Sequence, residues 1–171
     1  MAHLLHIDSS FQGDNSVSRR FTAEAADAWR AANPDGTVTH RDLAAHPLPH
    51  FDLDAHTARH VAPGDHTPAQ AAAWLLAETL VGEVLAADAI ILGAPMYNWS
   101  SPTQVKTWMD HLLAPGLSRD AVTQEGLLGG RDMTIISTHG GAYGPGTPKD
   151  GWNHADPWLA HVLSSVGLEP R

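Results

Sequence analysis

Hydrophobic and polar positions along the chain fall into four short strand-like runs separated by helical periods. Leu4 to Ile7 reads as a short buried strand, and Ser18 to Ala32 follows as a helix with Phe21, Ala25, Ala28 and Trp29 on one face. Asn33-Pro34-Asp35-Gly36 supplies the turn chemistry that ends it. Thr37 to Leu43 has the threonine-rich alternation of a strand nearer a sheet edge. Thr67-Pro68 sets an N-cap and a proline at the first helical position, opening a helix that runs to about Leu85. Ala89 to Ala94, AIILGA, is apolar on both faces, as a central parallel strand should be. Ser101-Pro102 opens another helix ending near Leu113. Met133 to Ser137 forms a fourth strand, and Asp156 to Val166 a last helix.

Ala44 to Gly64 breaks this rhythm. It is rich in His, Pro and Asp, has no period, and is expected to be a long surface loop with room for a helical turn. No internal repeat or linker divides the chain, so residues 1–171 read as a single domain.

Strands alternating with helices predict right-handed βαβ units, hence an α/β fold with a parallel sheet covered on both faces. Ligands in such folds sit beyond the carboxyl ends of the strands, where the strand order reverses. The loops after the first, third and fourth strands therefore carry the functional expectation.

Composition narrows the chemistry. The 171 residues are 43% hydrophobic, enough for one proper core. The formal charge is −9 with no clustered basic run, which argues against a nucleic-acid partner. With no cysteine, disulfides, thiolate catalysis and Fe–S ligation are unavailable, which fits a cytoplasmic location. The N-terminus lacks a basic stretch followed by a long apolar run, so no signal peptide is expected. The apolar runs read as too short to span a bilayer, so no membrane partner is expected.

The first loop, HIDSSFQGDNSVSRR, gathers Ser10, Ser16, Val17 and Ser18 where a helix begins. Helix starts present unpaired N–H groups and a partial positive charge, so this junction suits an anion. Simple capping explains the same residues. Neither GxGxxG nor GxxxxGKS is present, which removes the dinucleotide and Walker readings. The second loop holds Met96, Tyr97, Asn98 and Trp99; these side chains either fold back onto the core or line a slot for a flat conjugated ligand. The third, Thr138-His139-Gly140-Gly141 and onward, has adjacent glycines that make either a plain turn or a close backbone approach to a ligand. A polar, an aromatic and a glycine loop on one sheet edge together describe a phosphate pocket beside a slot for a planar ring. Flavin mononucleotide (FMN) fits that description better than any ligand lacking an aromatic ring.

Other residues weigh less. His56 and His60 are spaced i,i+4 with His46, His50 and His66 nearby, but no HExxH or cysteine cluster supports zinc, and a solvated loop is the better reading; no metal is expected. Trp29, Trp74 and Trp108 read as core or interface anchors. Trp152 and Trp158 either wall a pocket or pack, and Lys106 and Asp110 read as a surface ion pair one turn apart. Arg19 and Arg20 read as helix-surface residues, with assistance to a phosphate as the alternative.

The run SS plus SVS near the start, APMYNWSSPTQVKTWMDHLLAPG in the middle and STHGG later resemble the FMN-dependent NADH:quinone oxidoreductases, also called FMN-dependent NADH-azoreductases, over nearly the whole chain. Trp99 stands where that family usually has Phe. The resemblance implies a flavodoxin-like sheet of order 2-1-3-4. Ser10 and Ser16-Val17-Ser18 would hold the FMN phosphate. Met96, Tyr97, Asn98 and Trp99 would surround the ring, and Thr138, His139, Gly140 and Gly141 would contact its pyrimidine edge. His139 is the candidate for stabilising reduced flavin or protonating the acceptor, with a solvent-exposed loop histidine as the alternative. It further implies a homodimer that takes electrons from NADH or NADPH and passes them to small-molecule quinones or azo compounds in a ping-pong cycle. A flavodoxin-type one-electron carrier and a non-catalytic flavodoxin-like scaffold are the alternatives. The family continues past VGLEP into a fifth strand and a helix. That strand is expected to be missing from this chain, leaving the fourth strand as a bare edge.

Overall fold

The computed structural model describes residues 1–171. Four parallel strands, β1 (His3–Asp8), β2 (Thr37–Asp42), β3 (Ala89–Pro95) and β4 (Asp132–Thr138), form one sheet in the order β2-β1-β3-β4. Five helices connect or follow them: α1 (Val17–Ala32), α2 (Leu53–Ala58), α3 (Pro68–Ala86), α4 (Thr103–Leu112) and α5 (Ala155–Ser164). The doubly wound parallel architecture and strand order match the sequence expectation. β1 and β3 lie side by side, with chain connections leaving in opposite directions, so the switch point falls between their carboxyl ends.

Pleating divides the sheet. Leu5, Ile7, Ile90 and Leu92 face the main core with Leu80, Val84, Trp108, Met109, Leu159 and Leu163. Leu4 and Ile91 pack on the opposite side with Ala26 of α1, and Ala25 and Trp29 lie against them. Trp108 is fully buried, as expected of a core anchor, whereas Trp74 is only half-buried and its indole N–H donates to Glu78 Oε1 at 3.0 Å.

The buried face of α1 differs from the expected one. Ser18, Thr22 and Ala26 turn inward, while Phe21 and Ala28 are exposed. Thr22 outcompetes Phe21 because the carboxyl end of the sheet is polar on this side: its Oγ1 donates to Asp8 Oδ1 at 2.8 Å. The helix also comes close. A Cβ on Gly93 would meet Thr22 Cγ2 at 2.9 Å, so only glycine fits there.

The expected loop at 44–64 contains a two-turn helix, α2, capped by the Asp52 side chain on Ala55 N. Ser101 does not cap α4; Pro102 occupies the cap position, and Ser101 Oγ is buried without a partner. Thr67 does cap α3, in a reciprocal pair with Gln70. By length and composition α3 is apolar enough to cross a bilayer, contrary to the expectation that no stretch would be. Its Ala77, Leu80, Val81 and Val84 are buried in the core. The β4 edge is also less bare than expected. Arg171 N donates to Met133 O and Ile135 N donates to Arg171 O, both at 3.0 Å, which starts a fifth parallel pairing along its first half.

Candidate functional site

The carboxyl ends of β1, β3 and β4 release the three loops singled out in the sequence, and these converge. Ser10, Ser16 and Val17 from the first, Met96 and Tyr97 from the second, and Thr138, His139 and Gly140 from the third line one cleft of about 370 Å³. Gln12 and Pro95 complete it, and no acidic side chain lines it. In a chain of net charge −9, that is a local departure favouring an anion.

The first loop is tightly specified. Ser9 is buried and its Oγ donates to Gly93 O at 2.6 Å, tying the end of β1 to β3. Gly13 takes φ +55° within the 3-10 turn Gly13–Asn15, a conformation glycine adopts without strain. Ser16 caps α1 by accepting from Arg19 N at 3.3 Å, and its Oγ lies 3.1 Å from Ser18 Oγ. The N–H groups of Val17 and Ser18 have no acceptor within the chain. Capping is therefore present and leaves room for an anion: the Ser16 hydroxyl closes the N–H of Arg19, and the N–H groups of Val17 and Ser18 before it stay free. Ser18 itself lies beside Ser16 rather than on the cleft wall.

Arg19 corrects the expectation of a surface side chain. It donates from Nε and Nη2 to Ser10 O at 2.9 and 2.8 Å, and from Nη1 and Nη2 to the two carboxylate oxygens of Asp42 at 2.6 and 2.7 Å. This guanidinium braces the loop's backbone from behind. The hydrogen bonds and charge of Arg19 hold the Asp42 carboxyl well below its usual range. Arg20 is exposed, as expected.

The second loop is split. Tyr97 OH lies 3.0 Å from Ser10 Oγ, joining the polar and aromatic loops, and its ring packs against Phe11 at 4.6 Å. Asn98 and Trp99 are exposed and do not line the cleft. They form the tip of a tight turn, with Tyr97 N donating to Ser100 O and Ser100 N to Tyr97 O. Both tip residues have positive φ, 49° and 64°. Trp99 stacks edge-on against Trp152, ring centroids 5.4 Å apart, and its carbonyl accepts from His154 N. The aromatic side chains thus neither all return to the core nor all line the cleft.

The third loop is held by residues the sequence did not single out. Asp156, in the first turn of α5, accepts from Ser137 Oγ at 2.6 Å and from Asn153 Nδ2 at 2.6 Å. It lies 3.2 Å from His139 Nε2. Burial opposes its charge, but the hydrogen bonds from Ser137 and Asn153 and the neighbouring His139 outweigh it and leave the carboxyl below its ordinary range. His139 is therefore anchored, its side chain only 25% exposed. Gly141 lies outside the cleft lining. An acidic residue in the first turn of the last helix was the only available signal for Asp156.

A larger groove, about 820 Å³, lies between α4 and α5, with Lys106, Trp158 and His161 among its walls. It receives nothing from the serine or glycine loops, so the smaller cleft is the one that joins the three expected elements. Trp158 walls this groove, while Trp152 packs on Trp99. In the 46–66 segment, His46, His50, His56 and His60 are exposed, as the solvated-loop reading expects, with the rings of His56 and His60 meeting edge-on, while His66 Nε2 contacts the carbonyls of Ala58 and Val61.

Comparison with known proteins agrees with this geometry. The profile of a family described as having a flavodoxin-like fold matches residues 2–171. An FMN-dependent NADH:quinone oxidoreductase of Frankia alni is 47% identical over 167 residues, covering 98% of this chain and 79% of the relative. One from Streptomyces avermitilis is 44% identical over 171 residues, covering 99% and 78%. Among solved structures, an azoreductase from Bacillus anthracis superposes with a TM-score of 0.89 at 23% identity, covering 99% of this chain and 85% of the other.

Proposed function

The chain belongs to the flavodoxin-like family of FMN-dependent NADH:quinone oxidoreductases, and on that premise we propose that it binds FMN in the three-loop cleft and uses NADH or NADPH to reduce quinones or azo compounds. The observation that carries this reading is the donor set at the start of α1. Two N–H groups without acceptors, on Val17 and Ser18, adjoin the hydroxyls of Ser10 and Ser16 beside a cleft with no acidic wall. That set fits a phosphate.

FMN, when bound, supplies hydride acceptance and donation in two-electron steps, so the protein needs no nucleophile of its own. The chain's residues position and polarise. Ser10, Ser16, Val17 and Ser18 hold the phosphate end. Met96 and Tyr97 flank the ring, with Asn98 and Trp99 forming the rim of the entrance. Thr138, His139, Gly140 and Gly141 present the pyrimidine-edge contacts. The N–H groups of His139, Gly140 and Gly141 have no acceptor in the chain and are available to stabilise negative charge there. His139, held by Ser137 and Asp156, donates a hydrogen bond or proton at the acceptor side.

The same reading makes residues 1–171 one domain, working as a cytoplasmic homodimer. Phe11, Trp99 and Trp152, all exposed around the cleft, are the aromatic surface a partner subunit would cover. The test is an absorption spectrum after FMN is added to the purified chain, followed by anaerobic NADH titration. One FMN per chain, bleached in a single two-electron step and restored by quinone, is the expected result. A chain that stays colourless overturns the reading, and a bound flavin that NADH leaves oxidised points to the carrier function instead. Light scattering reports the dimer.

A further inference from the structure

On the face of the sheet that meets α1, the inward residues change character along β1 and β2. Leu4 is apolar, but His6 and Asp8 follow it on the same face, and in the register of the sheet His40 lies directly beside His6 and Asp42 beside Asp8. Two imidazoles and a carboxylate are thereby gathered, His6 and Asp8 from one strand and His40 from a position 32 residues beyond Asp8. His40 Nε2 is 3.0 Å from Asp8 Oδ2, and His6 Nε2 is 3.3 Å from the same oxygen. All three ligand atoms lie within 4.8 Å of one another. His6 is 6% exposed, and its Nε2 is buried without a hydrogen-bond partner.

We propose that His6 Nε2, Asp8 Oδ2 and His40 Nε2 form a site for a divalent transition-metal ion, with Zn²⁺ as its reference occupant. A four-coordinate zinc with ordinary bond lengths places its nitrogen and oxygen ligands about 3.3 Å apart. The two nitrogen–oxygen distances, 3.3 and 3.0 Å, already stand near that spacing, and the two imidazole nitrogens lie within 4.8 Å of each other. A hydrogen-bonded reading satisfies Asp8 through His40 but leaves the buried His6 nitrogen desolvated and unpaired, whereas a shared ion satisfies all three. Imidazole with a carboxylate suits zinc, cobalt or nickel better than calcium or magnesium.

The surroundings support the assignment. Asp8 Oδ1 accepts from Thr22 Oγ1 at 2.8 Å, which fixes the carboxylate plane as an outer-shell partner does. Arg19 Nη1 comes within 3.7 Å of Asp8 Oδ2, but its charge is matched by Asp42 at 2.6 Å. The His40 side chain is 47% exposed and provides the path of entry, with a fourth position left to water. None of the three ligands lines the cleft, so the site is separate from the flavin reading. An ion here pins together the carboxyl ends of β1 and β2, directly beneath the Ser9-Ser10 turn.

The test uses the full chain stripped with EDTA and titrated with Zn²⁺ alone by calorimetry, and with Co²⁺ followed by visible absorption. One ion per chain, visible bands typical of four- or five-coordinate cobalt, and a rise in Tm with Zn²⁺ are expected. His40→Ala, at a half-exposed position that folding tolerates, is expected to weaken binding at least as much as the about ten- to hundred-fold typical of losing an outer-shell partner. Asp8→Asn gives the same loss if it folds, while His56→Ala/His60→Ala retains binding. Absence of one-to-one binding in the unmodified chain overturns the site. So does binding that survives His40→Ala, or that His56→Ala/His60→Ala abolishes.

Discussion

Arg19, in the first turn of α1, and Asp42, at the carboxyl end of β2, form a bidentate pair, and the same guanidinium holds the Ser10 carbonyl. One side chain thus fixes the backbone of the serine loop without standing in the cleft. Lysine offers a compact point charge in place of this fork and cannot reproduce the two-oxygen pairing with Asp42 together with the paired donation to Ser10 O. Arg19→Lys is expected to lower stability by about 1.5–3 kcal/mol, the range for hydrogen bonds to charged groups. FMN affinity falls with it, while the spectrum of bound FMN is unchanged. Urea unfolding and flavin titration measure the two effects.

The same pair sets an acid limit. Asp42 titrates lower in the folded chain than in the unfolded one. Its contribution is therefore fully present above the unfolded value of about 3.9 and is lost as pH falls through the folded value. Asp156, also depressed, acts in the same direction. The urea midpoint is expected to begin falling below about pH 5 and to go on falling below about pH 3 toward the folded value, and Asp42→Asn to flatten that fall. An equally steep profile in Asp42→Asn would assign the effect elsewhere.

The order of strands and helices along the chain and the meeting of three loops were legible because they follow from hydrophobic period and from the geometry of parallel sheets, whereas the 2-1-3-4 order within the sheet was implied by the family resemblance. The parts that were not legible depend on contacts between distant residues. Arg19 reads as an exposed helix residue until the register of β2 places Asp42 beside Asp8, where Arg19 reaches it. Phe21 reads as core until Asp8 recruits Thr22. The histidines close in sequence, 46 to 66, read as a solvated loop and no metal is expected of them, whereas the cluster with ligand spacing is assembled by strand pairing. Ser10, Ser16, Met96, Tyr97, Thr138 and His139 could be placed from their loops alone. Asn98 and Trp99 could not, because the turn that swings them outward is set by backbone hydrogen bonds.

Asp156 and His139 are expected to act as one unit. Asp156→Asn removes the charge that holds the imidazole, and His139→Asn removes the imidazole itself. Each is expected to slow quinone turnover by about ten-fold, within the about hundred-fold that a 1 Å misplacement can cost. The double variant is expected to be no slower than His139→Asn, since two residues of one network are not additive. Steady-state rates for the four proteins give the coupling directly, and additive losses would separate their roles.

Trp99 occupies a position that glycine favours. Asn98 and Trp99 both have positive φ between the reciprocal hydrogen bonds of Tyr97 and Ser100, the arrangement for which Asn-Gly is the preferred pair. Holding a bulky side chain there costs about 1–2 kcal/mol of backbone strain. Against it stands the edge-on contact with Trp152, worth about 0.5–1.5 kcal/mol beyond its buried area. Trp99→Gly releases the first and loses the second, so net stability is expected to change by no more than about 1.5 kcal/mol. The acceptor side of the cleft loses its aromatic rim in the same step. KM for quinone is therefore expected to rise several-fold while thermal stability holds, and Trp99→Phe is expected to keep KM near that of the unmodified chain. A Trp99→Gly variant with unchanged KM would make the strained turn a packing feature alone.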